Sequence, residues 1–289
     1  MIFKVGLTAA FLVAATATLS QAALGQETQP LGDVLSATHV HGLVPQENAG
    51  EVLMATHHGL WSVDIDQETA RLLGNSRDDF MGFSVHPTDK EVFWASGHPI
   101  TGGNLGIIGS VDGGANWSQI AEGIGGPVDF HQMTVSVADP DVIYGVYRGT
   151  SLQRSQDAGR SWVEIGLLPD GMIDLAASAV SPDTVYAATN SGLFKSDDVG
   201  RSWVRIYEST APVSSVDVNA DGIHAFVLGT GVVHSLETDV GFSTVADNFG
   251  DTYLLHATPT SDGGYVAATD QGGLILLSPD GDVTKSIPQ

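Results

Sequence analysis

The sequence predicts an all-β chain folded as a six-bladed β-propeller, and three observations carry that prediction. First, the pattern Ser-x-Asp-x-Gly-x-x-Trp occurs three times, at Ser110/Asp112/Gly114/Trp117, Ser155/Asp157/Gly159/Trp162 and Ser196/Asp198/Gly200/Trp203. Second, the tryptophans are 45 and 41 residues apart, and a period in the forties marks a repeat architecture. Third, the intervals are filled by short apolar or alternating runs separated by Gly-, Pro- and Asp-rich turns, enough for four strands per period. A seventh unit would need more chain than the 289 residues provide.

The frame is clearest in the fourth unit: Ile173–Ser181, a Pro182-Asp183 turn, Val185–Thr189, Leu193–Ser196, the signature turn, then Trp203–Ile206. On that frame unit one covers about 38–73, with strands at His39–Val44, Val52–Thr56, Leu60–Asp64 and Ala70–Leu73. Unit two starts at Phe80, unit three at Phe130, unit five at Val213 and unit six at Tyr253. Units two, three and four carry the intact signature. Units one, five and six carry degenerate turns at the same place, such as Ser278-Pro279-Asp280-Gly281.

Residues 1–22 read as a signal peptide: Lys4 is the positive n-region, Val5–Leu19 the apolar h-region, and Ser20-Gln21-Ala22 the small-residue cleavage site. Residues 23–37 form a leader segment, either loose or adding an outer strand, and 38–289 a single propeller domain. The expected location is periplasmic or secreted, with no stable membrane insertion after cleavage. With no cysteine, disulfides, Cys-ligated zinc and thiolate chemistry are excluded. Formal charge is −23, and −24 without Lys4 (10 basic against 34 acidic), so nucleic acid would be repelled. No P-loop, dinucleotide fingerprint or nucleophile elbow is present, and no nucleotide or organic cofactor is indicated.

The signature is a hairpin turn. Its Asp can accept backbone N–H groups, its Gly permits positive φ, and its Trp can pack between blades. Asp112, Trp117, Asp157, Trp162, Asp198 and Trp203 are therefore expected to be structural. These residues resemble the Asp-box (BNR) repeat, and the chain resembles the sialidase-like, sortilin-like and photosystem-assembly-factor-like propellers, including exported "glycosylhydrolase-like" members with a His-rich mouth. The resemblance implies a sialidase-like fold. It does not extend to sialidase catalytic residues: the early Arg-Ile-Pro motif is absent, Arg160 and Arg201 lie inside signature turns, and only Arg77 and Arg148 are placed near the mouth, with Arg71 less so.

On this frame the signature turns mark one face, and the loops joining second to third strands mark the opposite mouth. Six histidines fall on the mouth side: His39, His41, His57, His58, His98 and His131. Residues two apart on a strand share a face, so His39/His41 and His131/Met133 are each expected to aim two side chains at one space. Aligning on Val44, Val85, Val137 and Val180 puts His39, Asp79, His131 and Asp174 at one level and His41, Met81 and Met133 at the next. Imidazole suits copper or zinc, and thioether favours Cu(I). Asp79, Met81, Asp129, Met133, Asp174 and Arg148 are the supporting or ligand-binding candidates. No residue is assigned as catalytic.

Three functions stay open at this stage. One is binding of a copper or zinc ion, or a small ligand, through the mouth histidines. Another is a glycosidase-like hydrolase using mouth carboxylates; Asp79, Asp129, Asp174, Asp251 and Asp270 could supply the pair. The third is an assembly scaffold for a protein partner.

Overall fold

The computed structural model describes residues 28–239, 241–247, 249 and 252–289; the signal-peptide reading and Asp251 lie outside these residues. Twenty-four of the strands form six four-stranded antiparallel meanders in chain order, one per blade. Innermost to outermost, blade 1 is Val40–Pro45, Glu51–Thr56, Gly59–Asp64 and Thr69–Leu72; the innermost strands of blades 2 to 6 are Asp79–Val85, Gln132–Val135, Met172–Ala177, Val213–Asn219 and Leu254–Pro259. The six expected units are the six blades. The second and third strands are buried nearly throughout, as in Val185–Thr189 and Tyr265–Thr269, because both sheet faces pack on neighbouring blades.

The hydrophobic core is divided into six clusters, one per seam between blades. Phe80 and Leu60 stand in the seam of blades 1 and 2, Phe130 and Trp162 in that of 2 and 3, and Tyr144 and Leu152 in that of 3 and 4. Tyr186 and Val216 stand between blades 4 and 5, and Phe226 and Leu254 between 5 and 6. The closing seam, blade 6 against blade 1, includes Val266, Leu274 and Ile287 with Met54 and Trp61.

The leader is built into that closing seam. Gln29–Pro30 pairs with Thr69–Ala70 as a fifth, outermost strand of blade 1. A helix that the sequence pattern does not announce, Leu31–Ala37, then buries Leu31, Val34 and Leu35 in the closing cluster. Lys285 donates to the Asp66 carbonyl at 2.8 Å and lies 3.2 Å from Glu68, and the Gln289 amide donates to the Leu35 carbonyl at 3.3 Å. Among the described residues no strand is exchanged between blades 1 and 6, and packing and these polar ties join the two blades.

The three signature turns are nearly superimposable in their bonding. In blade 3 the Ser155 hydroxyl donates to Asp157 Oδ1 at 2.8 Å and accepts Gly159 N–H at 2.9 Å, while Asp157 accepts the Ser161 N–H and hydroxyl at 2.8 and 2.6 Å. Blades 2 and 4 repeat this through Asp112 and Asp198. These bonds hold Asp198 down to about 2, the Ser202 hydroxyl contributing most. Gly114, Gly159 and Gly200 have φ of 83, 84 and 88° and face apolar side chains of the neighbouring blade, Leu152 at Gly200. The tryptophans differ. Trp162 is 7% exposed, packs on Phe130 with ring centroids 5.0 Å apart and donates to Gly159 O; Trp203 is half-buried and donates across the seam to Leu167 O.

Trp162→Ala is expected to cost about 3–5 kcal/mol by urea denaturation, in the range for losing a buried aromatic, and Trp203→Ala clearly less. Equal losses would contradict this account of the seams.

Candidate metal centre at the channel mouth

The site grows from a register feature of the innermost strands. In five blades the ladder slips by one residue near the mouth, leaving His41, Met81, Ile173, Ser214 and Leu255 as extra, unpaired residues. Bulges of this kind bend the strand and re-aim its side chains. In blade 3 the ladder begins at Gln132 opposite Val146, so His131, just before it, holds the same ring position. Two residues earlier stand His39, Asp79 and Asp129.

This corrects the sequence-based alignment in part. His39 with Asp79, and His41 with Met81, share levels as expected. Asp129 takes the level assigned to His131, and His131 the level assigned to Met133. Asp174 lies one step deeper than the bulge, beside Gln132 and Ser215 in the ring. The anchors Val137 and Val180 caused the slip: they lie in first-to-second-strand turns, 42% and 65% exposed, so they mark no strand position.

The geometry makes two triads, each spanning a seam. His57, in the loop after the second strand of blade 1, places Nδ1 2.7 Å from Asp79 Oδ2 of blade 2. His41 Nε2 lies 3.1 Å from His57 Nδ1 and 3.4 Å from Asp79 Oδ1. One seam further on, His98 Nε2 of blade 2 lies 3.4 Å from Asp129 Oδ2 of blade 3, and His131 Nε2 lies 3.6 Å from the same oxygen. In each triad the three donor atoms all lie within 4.8 Å of one another. Four ligands around a zinc at 2.0–2.1 Å are separated by about 3.3 Å, so both triads have the spacing of part of a coordination sphere.

Two features of the inner triad stand out. Asp79 Oδ1 is buried and makes no hydrogen bond, a costly state for a carboxylate oxygen. His41 is pulled down to about 4, first by burial and then by repulsion from His57, His256 and His131, against the upward pull of Asp79. It is therefore a neutral imidazole at pH 7, the form that ligates metals. The triad at His98 is more open, with the His131 side chain 51% exposed against 18% for His41.

The remaining candidates fall around this pair. His39 lies tilted against His57, ring centroids 5.3 Å apart. His58 lines a groove of 370 Å³ with His57, Arg77, Asp79 and His98, and Arg77 lies over Trp61. Met81 and Met133 both line the central channel, and Met133, 6% exposed, also packs in the core of the seam between blades 2 and 3. Arg148 is exposed, at φ 52°, over Tyr147. Arg154 is on the third strand of blade 3 and buried against Asp183 and Tyr144.

The channel itself, 770 Å³, carries a second set of polar groups on blades 4 to 6. Asp174 accepts the N–H groups of Val216 and Leu175 at 3.0 and 2.9 Å. It is still pushed up to about 7, by burial first and by Asp217 in addition. Asp217, also raised by burial, accepts the Thr258 hydroxyl. His256, in the same wall, is lowered to about 4 by desolvation. Asp217 and His256 escaped the sequence reading: neither belongs to a motif, and only the pairing register brings them beside Asp174.

These values set the acid response. His256 and His224, the latter buried against Tyr265 and His234, both have folded-state values of about 4 against an ordinary 6.5. The unfolded chain therefore takes up protons first, and stability falls as pH drops from 6.5 towards 4. Asp174, raised from 3.8, works with the opposite sign, contributing most below 3.8 and losing that contribution as pH rises towards 7. His256→Gln is expected to flatten the fall in melting temperature between pH 6.5 and 4.5; an unchanged slope would contradict the assignment.

No family model and no curated protein matches the chain. Among solved structures, it resembles YCF48 bound to D1 peptide (TM-score 0.53, 16% identity, 75% of this chain and 71% of that one). It also resembles the GH74 xyloglucanase from Xanthomonas campestris (0.59, 18%, 86% and 38%) and a propeller in a nidogen/laminin complex (0.58, 11%, 87% and 94%). The chain thus spans less than two fifths of that GH74 enzyme. At these identities the likeness is one of fold: glycoside hydrolases and protein-binding propellers share this architecture.

Proposed function

We propose that this is an exported propeller of the Asp-box, sialidase-like and sortilin-like kind that binds a copper or zinc ion through the histidines of its channel mouth. The observation that carries the reading is the convergence of His41 Nε2, His57 Nδ1 and a half-buried Asp79 carboxylate whose buried oxygen is unbonded. A cation there would satisfy that oxygen and take the two ring nitrogens that otherwise share a hydrogen bond. Such an ion would contribute charge neutralisation and a tie between blades 1 and 2. The second triad, with the same construction between blades 2 and 3, supports the same chemistry. Among the described residues no helix is long and apolar enough to cross a membrane.

Loading purified mature protein with copper or zinc, followed by desalting and metal analysis, tests this. At least one bound ion and a raised melting temperature are expected, because a ligand held only by the folded state stabilises it. His41→Ala and Asp79→Asn should lose that ion; retention by both would overturn the reading. A second reading, glycoside cleavage, is favoured by one observation. Burial pushes the Asp174 carboxyl up to about 7, the direction a general acid needs. It predicts aryl-glycoside turnover that Asp174→Asn abolishes, and a broad screen without turnover would dismiss it.

A further inference from the structure

The two triads are not equivalent, and what lies between them gives the difference a direction. His41, Met81 and His131 occupy the same ring position on blades 1, 2 and 3, and all three line the central channel. Met81 thus stands in the ring between one histidine of each triad. The triads also touch through the backbone of blade 2: Asp79 of the inner one is the direct cross-strand partner of His98 of the outer one, and such partners stand about 5 Å apart. Both line the 370 Å³ groove. The outer triad is the more solvent-exposed, while the inner one holds the unbonded carboxylate oxygen.

Resting on the metal-binding reading above, we propose that the mouth is a two-station path for a single class of soft ion, monovalent copper. His98, Asp129 and His131 take the ion from solution or from a donor, and His41, His57 and Asp79 store it. Met81 is the ligand shared during transfer. The donor set selects the ion. A thioether coordinates Cu(I) well and zinc or Cu(II) poorly, and a chain without cysteine has no thiolate to trap copper irreversibly on the way. Transfer is ligand exchange at constant oxidation state: bonds to imidazole nitrogen or thioether sulfur form as others break, no electron moves, and any imidazole proton displaced passes to water.

Anaerobic titration with Cu(I) against a chromophoric chelator, with stopped-flow loading of the same protein, tests the path. The wild type should take two ions whose affinities differ by at least tenfold. The double substitution His98→Ala/His131→Ala should lose the weaker ion, leave the affinity of the stronger within twofold, and slow its loading at least tenfold. Met81→Leu, a volume-conserving change, should keep both ions and slow transfer at least fivefold. Wild-type loading rates in both variants would overturn the path while leaving metal binding intact. So would a single bound ion, or binding of zinc alone. A protein that binds no metal at all would remove the reading on which it rests.

Discussion

Each blade buries both faces of its sheet against two neighbours, and the ring is stable only if all six seams pack. The core is distributed in that way, one apolar cluster per seam. Among the described residues the closing seam receives no shared strand; it is filled by the leader helix, whose Leu31 and Leu35 are wholly buried. At that junction the described residues join the two blades by side-chain packing and not by backbone pairing.

Polar groups follow the same division. On the signature face, Glu237 of blade 5 reaches the Ser178 hydroxyl, the Ala179 N–H and the Tyr186 hydroxyl of blade 4, and Arg154 of blade 3 pairs with Asp183 of blade 4. On the mouth face, His57 crosses to Asp79 and His98 to Asp129. The Glu237 tie is complete, with both carboxylate oxygens bonded, whereas Arg154 keeps a buried Nε without a partner. The mouth ties leave Asp79 Oδ1 unbonded and place imidazole nitrogens face to face. What sets the mouth apart is the chemistry of the unbonded atom, a carboxylate oxygen beside two imidazole nitrogens, which a cation can satisfy.

The fold was legible because the signature fixes a turn, a positive-φ glycine and a packed indole at a constant interval, and few other structures need all three. The mouth was legible because the signature defines the opposite face. The pairing of site residues was not. The extra residue in the innermost strands leaves no mark in hydrophobic periodicity, since His41, Met81 and Leu255 share no chemistry. Val137 and Val180 look like strand residues and are exposed turn residues. So Asp129, rather than His131, proved to be the counterpart of Asp79, and Asp174 moved from the histidines to the far wall of the channel. The helix Leu31–Ala37 was missed because seven residues carry too little pattern to be told from a loop.

The central claim is that the mouth histidines hold a metal ion at a defined point. Anomalous diffraction from crystals of mature protein loaded with copper or zinc, collected across the metal's absorption edge, measures this directly. The account predicts a peak within coordination distance, about 2.0–2.2 Å, of His41 Nε2, His57 Nδ1 and an Asp79 oxygen. A loaded crystal whose anomalous density avoids both His41–His57–Asp79 and His98–Asp129–His131 would contradict it.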